Sequence, residues 1–184
     1  MQPSRLIPIA ILALAAACND TTTSPTSSDK PQFATSFTAL TAPSGAHYRQ
    51  GSREPTCSVS GISVSCTGTQ IAGVGNTDAT LLLSVSYSAT VQCRNNGGQI
   101  VDVKTQGTST TPAPDDATSL RNGTLTVSSF SASNVPTDEA FESRATCPNG
   151  NWTKELLGTA TVSSFTYTLT FVGFSQPAIT VTGP

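Results

Sequence analysis

"TLLLSVSYSATVQC", residues 80–93, alternates with a period of two. Leu81, Leu83, Val85, Tyr87, Ala89, Val91 and Cys93 fall on one side, and Leu82, Ser84, Ser86, Ser88, Thr90 and Gln92 on the other. Only an extended strand sends every second side chain to the same face, so this stretch reads as a β-strand with one face in a core and one in water. Its wet face is built from serine and threonine rather than lysine and glutamate. That choice runs through the chain: Ser and Thr make up roughly three residues in ten, and charged residues only 11%, against roughly a quarter in ordinary domains. Such side chains favour strands and turns over helix interiors.

The flanking sequence continues the pattern. "RNNGG" (94–98) carries the Asn and Gly of a hairpin turn and leads into "QIVDVKTQ". "GTLTVSSFSAS" puts Leu125 and Val127 on one parity and Phe130 and Ala132 on the other, which a bulge near Ser128 or Ser129 would reconcile. "AFESRATC" reads as a strand with Phe141, Ser143, Ala145 and Cys147 inward. "ATVSSFTYTLTFVGF" aligns Phe165, Tyr167, Leu169 and Phe171, and "PAITVTGP" is a short last strand. "TSTTPAPDDATSLRNG", residues 108–123, is too polar and proline-rich for a core and reads as one long loop. The sum is an antiparallel all-β domain, an immunoglobulin-like β-sandwich of about eight strands with no helix, spanning residues 56–184.

Cysteine spacing pins part of the register. In "CSVSGISVSC" (57–66), placing Gly61 and Ile62 at a hairpin tip puts Ser60 opposite Ser63, Val59 opposite Val64 and Cys57 opposite Cys66. Glycine in the first central position is the type II′ preference. The facing cysteines form a non-hydrogen-bonded pair, with Cα atoms about 4.5 Å apart, at the short end of disulfide range. Cys93 and Cys147 remain. Each ends a predicted strand before a turn, "CRNNGG" and "CPNGNW", so the two strands run the same way and a second bond joins facing sheets. Closing the longer loop is worth roughly 4 kcal/mol and the hairpin about 3 on chain-entropy reasoning. The domain is thus disulfide-stabilised. Zinc is the competing use of cysteine, but no two of these four stand two to four residues apart, so no metal site is expected.

Upstream, residues 19–55 are dominated by Pro, Ser and Thr with no sustained period and read as a flexible tether. At the start of the chain, Arg5 precedes the apolar run Leu6–Leu14 and the small residues Ala15, Ala16 and Ala17, and then comes Cys18. The run is too short to span roughly 30 Å of hydrocarbon and has the order of a secretory signal peptide. This segment resembles a bacterial lipoprotein signal, with its leucine at Leu14, one place earlier than usual. The resemblance implies a signal peptide over 1–17, lipidation of Cys18, and a lipidated cysteine plus tether over 18–55. It also implies a cell-envelope location with the membrane as a partner through the anchor, at the outer membrane if the host has one, because Asn19 rather than Asp follows the cysteine. Plain cleavage after Ala17 is the other reading.

Candidate chemistry is sparse. Net charge is −2, with no basic patch to recruit nucleic acid. The single histidine, His47, falls in the tether, so no Ser–His–Asp set assembles. Asp115–Asp116 and Asp138–Glu139 read as solvated loop charge, and Asn76 with Asp78 lacks any calcium-loop spacing. "AGVGNTD" is a turn and not a phosphate cradle. No enzyme and no cofactor are expected. Two turns are richer. "RNNGG" and "PNGNW" should share one pole and offer Arg94, Asn95, Asn96, Asn149, Asn151 and Trp152, a set suited to hydrogen bonding and stacking rather than acid–base work. Trp152 has two readings: packed on the Cys93–Cys147 bond as part of the core, which is preferred, or an exposed platform.

The combination "GNTDATLLLSVSYSATVQCRNNGGQIVDVKTQ", "ATCPNGNW" and "FTYTLTF" resembles a group of uncharacterised exported bacterial all-β proteins. The resemblance covers about residues 56–184, implies secretion and an all-β domain, and transfers no activity. The expected function is a lipid-anchored envelope β-domain with a binding, adhesion or structural role toward a glycan or envelope protein. The alternative is a carbohydrate-binding module centred on Trp152.

Overall fold

A computed structural model describes residues 41–114 and 117–184. The readings placed on Cys18, the signal segment, the first part of the tether and Asp115–Asp116 lie outside the described residues. Within them the chain forms eleven strands and one helix: β1 (His47–Tyr48), β2 (Cys57–Ser60), β3 (Ser63–Cys66), β4 (Thr69–Ala72), β5 (Ala79–Arg94), β6 (Ile100–Pro112), β7 (Thr118–Arg121), β8 (Thr124–Val127), β9 (Phe130–Ala132), α1 (Asp138–Arg144), β10 (Thr153–Phe171) and β11 (Ile179–Gly183).

The long antiparallel sheet β11-β10-β5-β6 is one layer of a β-sandwich. β5 is the strand that opens the sequence argument, and its alternation holds over all sixteen residues. Leu81, Leu83, Val85, Tyr87, Val91 and Cys93 are buried. Phe165, Tyr167, Leu169 and Phe171 of β10 are buried beside them, as expected. The outer face carries the hydroxyls. Ser84 Oγ meets Thr110 Oγ1 at 3.2 Å, Ser86 Oγ meets Thr108 Oγ1 at 3.1 Å, and Ser88 Oγ meets Thr161 Oγ1 at 3.2 Å. Cross-strand hydroxyl pairs of this kind hold neighbouring strands in register without charge.

The second layer comprises β1-β4-β8-β7 and β2-β3-β9. These two sheets are one antiparallel pair bent at a corner. Cys66 opposes Phe130 before the bend and Thr69 opposes Val127 after it. Two residues intervene on each chain, Thr67 and Gly68 on one and Ser128 and Ser129 on the other, so no residue is gained or lost. The parity switch between Val127 and Phe130 is real, but it is not a bulge in one strand. Both chains break at the same level and both exchange faces: Val64 and Cys66 point inward before the corner, Thr69 and Ile71 after it. Residues from both sheets join those of the long sheet in a single core. The Tyr87 hydroxyl reaches across the layers to the Ile62 carbonyl at 3.3 Å.

The hairpin register is the expected one, with Cys57 opposite Cys66 and Ser60 opposite Ser63. The cysteines are bonded, with Cα atoms 4.0 Å apart. Gly61 has φ 59°, and Asn122 is the one non-glycine with positive φ among the described residues. Ile62 therefore stays at negative φ, as a type II′ turn requires.

Four expectations need correction. First, "DEAFESR" is a helix and not a strand. Thr137 caps it by accepting from Ala140 N at 3.3 Å, Asp138 and Glu139 sit in its first turn, and Arg144 closes the last. Cap and charges favour a helix at each end. Phe141 and Ala145, four apart, are buried on its inner side, while Ser143 is exposed. Second, Cys147 consequently follows a helix rather than ending a strand. It is bonded to Cys93 with Cα atoms 5.8 Å apart, and it ties the exit of α1 to the end of β5 instead of joining facing sheets. Third, residues 108–123 are not one loop. β6 runs to Pro112, Ala117 is buried, and β7 turns into β8 through Asn122 and Gly123. Fourth, the fold starts before residue 56. Ala42 is buried, and His47 and Tyr48 pair with Ala72 and Ile71 on β4. Main-chain pairing at a sheet edge, with Ala42, Ala46 and Tyr48 set on the core, holds this segment.

Candidate functional site

The two asparagine-rich turns do share one pole. Thr153 opposes Arg94 at the end of the β5–β10 ladder, and Thr153 Oγ1 donates to the Arg94 carbonyl at 3.1 Å. The Cys93–Cys147 bond fixes the second chain there. α1 packs on β6, β10 and β5 behind them. Glu142 Oε1 accepts from Leu156 N at 3.3 Å, and Arg144 Nη1 donates to the Gln106 carbonyl at 3.2 Å.

The six candidate side chains separate into two kinds. Asn95 is spent on its own turn: its Oδ1 accepts from Gln99 N at 2.8 Å and its Nδ2 donates to Gln99 Oε1 at 2.7 Å. Asn149 Oδ1 likewise accepts from Asn151 N at 3.1 Å. These two shape the pole. Asn96 and Asn151 are exposed. Arg94 is also exposed, with Nη2 donating to Gln92 Oε1 at 3.3 Å. Trp152 is half-buried and is not among the residues of the hydrophobic core or those packed against it. Part of the Trp152 surface is in water and part is covered, as either a residue capping the disulfide end of the core or a platform would have it.

The remaining candidates are structural. His47 Nδ1 donates to the Gly45 carbonyl at 2.8 Å from an exposed position on β1. Asp78 Oδ1 accepts from Ala79 N at 2.7 Å and from Thr118 Oγ1 at 3.5 Å, bracing the loops around the start of β5. Asp138 and Glu139 belong to the first turn of α1, where the main-chain amide of Glu139 and the Thr137 hydroxyl hold the Glu139 carboxyl below its ordinary range. Among the described residues no cluster of three His, Cys, Asp or Glu side chains could hold a metal ion. No described helix is long and apolar enough to cross a membrane.

A second polar site was missed by sequence reasoning, because its residues fall in the stretch read as tether. Arg49, Gln50, Gly51, Ser52 and Arg53 border a depression of about 550 Å³ whose far side is Gly68, Thr69, Gln70, Thr126 and Val127. A directed chain of hydrogen bonds forms its floor. Gln70 N donates to Ser52 Oγ at 2.8 Å, Ser52 Oγ lies 3.2 Å from Thr69 Oγ1, and Thr69 Oγ1 donates to the Arg53 carbonyl at 2.7 Å. Arg49 N donates to the Gln70 carbonyl at 2.9 Å, and Ser52 N to the Arg49 carbonyl at 2.8 Å. No family model, curated protein or solved structure matches the chain.

Proposed function

We propose that this chain is an exported, non-enzymatic binding module, tethered to the cell envelope through a lipidated Cys18 and presenting the Arg94–Trp152 pole to a glycan or envelope protein. The observation that carries the binding reading is Trp152 itself. Trp152 keeps part of its surface in water at the disulfide-clamped pole, where Asn96, Asn151 and Arg94 are exposed. Amide, guanidinium and indole groups on rigid loops suit recognition of a neutral polar ligand. Two disulfides accord with export to an oxidising compartment.

A glycan array and an envelope-fraction capture, each run with the native protein and with Trp152→Ala, test the binding role. Binding lost in the variant at unchanged melting temperature is the expected result, and equal binding by both removes Trp152 from the function. Mass spectrometry of the mature N-terminus tests the anchor: acyl chains on Cys18 are expected, and an unmodified Cys18 or cleavage elsewhere overturns it.

A further inference from the structure

We infer that the depression between the Arg49–Arg53 turn and β4 is a binding site for an acidic saccharide, held by its carboxylate on the arginines and by its hydroxyls on Gln70, Ser52 and Thr126. The chain carries a net charge of −2, yet two arginines four residues apart line one concavity. Among the described residues no carboxylate forms an ion pair with either. Glu54 borders a neighbouring concavity that Arg53 also lines, together with Thr56, Thr67 and Gly68, and its charge acts on Tyr48. Arg49 Nη1 donates to Gln70 Oε1 at 3.0 Å, which orients the guanidinium and leaves the rest of its fork for a ligand. A guanidinium presents parallel N–H donors matched to a carboxylate and stays charged at any physiological pH.

The size and the rest of the lining choose the ligand class. A volume of about 550 Å³ is far more than a small anion fills, and it lies in the range of small-molecule sites. Gly51 has no neighbour within reach of a side chain and leaves its side of the depression open. Gln70 and Thr126 line the same depression, with Gln70 Nε2 donating to Thr126 Oγ1 at 3.5 Å. Cations beside hydroxyl and amide groups match a sugar ring that bears a carboxylate. The main-chain and hydroxyl bonds that pin residues 49–53 to β4 mean little ordering is left to do on binding. This site shares no residue with the Trp152 pole.

Titration calorimetry of the full-length protein with a galacturonate hexamer, and with maltohexaose as its neutral counterpart, tests the inference. The acidic hexamer should bind, and any binding of the neutral one should be weaker and insensitive to Arg49→Ala and Arg53→Ala. Arg49→Ala and Arg53→Ala should each weaken binding at least about tenfold, the share of one charge-assisted hydrogen bond. Both residues are exposed, so melting temperature should not move. Arg121→Ala, an exposed arginine elsewhere, should leave binding intact. No binding of the acidic hexamer overturns the proposal, as does equal binding of maltohexaose. Equal loss in Arg121→Ala would reduce the effect to diffuse charge and overturns it. Inorganic phosphate binding as tightly as the hexamer would leave an anion site and defeat the saccharide assignment.

Discussion

Gly68 lies against the main chain of Val127: a Cβ added at Gly68 would overlap the Val127 carbonyl oxygen and press on Ser128 and Ser129. This contact is the corner at which the second layer bends. Gly68 has no positive φ, so the requirement is space and not backbone freedom. Both neighbours are main chain, which cannot rotate away. Gly68→Ala is expected to cost about 1–3 kcal/mol, the range for overpacking a well-filled site. Denaturant unfolding of the two proteins checks it; an unchanged midpoint would mean the corner can open freely.

The two disulfides should differ in worth. Cys93–Cys147 closes a sequence separation of 54 and Cys57–Cys66 one of 9. Chain-entropy reasoning gives about 4 and about 3 kcal/mol respectively. The longer bond also clamps α1 over the end of the long sheet. Cys93→Ser/Cys147→Ser should therefore destabilise more than Cys57→Ser/Cys66→Ser, read as unfolding midpoints. Peptide mapping without reductant should recover only these two pairs.

Trp152 and Phe141 make a contrasting pair. Phe141 is fully buried beneath α1, and Phe141→Ala should cost roughly 3–5 kcal/mol. Trp152 is half-buried and outside the core cluster, so Trp152→Ala should cost less than Phe141→Ala, in proportion to the smaller area it covers. A larger loss, measured by thermal and chemical unfolding, would return the indole to the core.

Thr137 is the cap that turns "DEAFESR" into α1, and its side chain accepts from Ala140 N. Thr137→Ala should cost about 1 kcal/mol. Loss of helix signal at the same time would show that local capping decides the conformation of this segment.

That segment also shows why the fold was only partly legible. Phe141 and Ala145 are four apart, a spacing that satisfies a period of two and a helical turn alike. Hydrophobic pattern could not choose between them; Thr137 and the acidic pair after it could. β5, the Cys57–Cys66 hairpin and the end of β10 were legible because long alternation or paired cysteines admit one register. The turn into β8 carried its own signal, since Asn122 and Gly123 have φ 49° and 71°, the Asn-Gly signature of a type I′ hairpin, but it was hidden in a polar, proline-rich stretch. Arg49 and Arg53 were illegible for a different reason. What holds them is main-chain bonding to β4 and a chain of hydroxyls, and neither leaves a periodic trace in the sequence.

Tyr48 and Tyr167 predict how the domain fails in alkali. Burial, and then the charge of Glu54, push the Tyr48 phenol up to about 12; burial raises Tyr167 further, with Tyr48 adding to it. An unfolded tyrosine loses its proton near pH 10. The folded state therefore holds these protons where the unfolded state has released them. Stability from this source is full below about pH 10 and is lost as pH rises from there through the raised folded values. No such loss is expected between about pH 5 and 9, where an unshifted phenol stays neutral in both states. The Tyr167 hydroxyl is buried with no hydrogen-bond partner among the described residues. Replacing it with hydrogen removes an unsatisfied group, so Tyr167→Phe should leave stability at pH 7 equal or slightly higher. The same change should flatten the alkaline limb. Unfolding midpoints across pH 7–12.5, with phenolate absorbance followed in parallel, decide the matter. An alkaline limb identical in native protein and Tyr167→Phe would mean that the phenol ionises without opening the core.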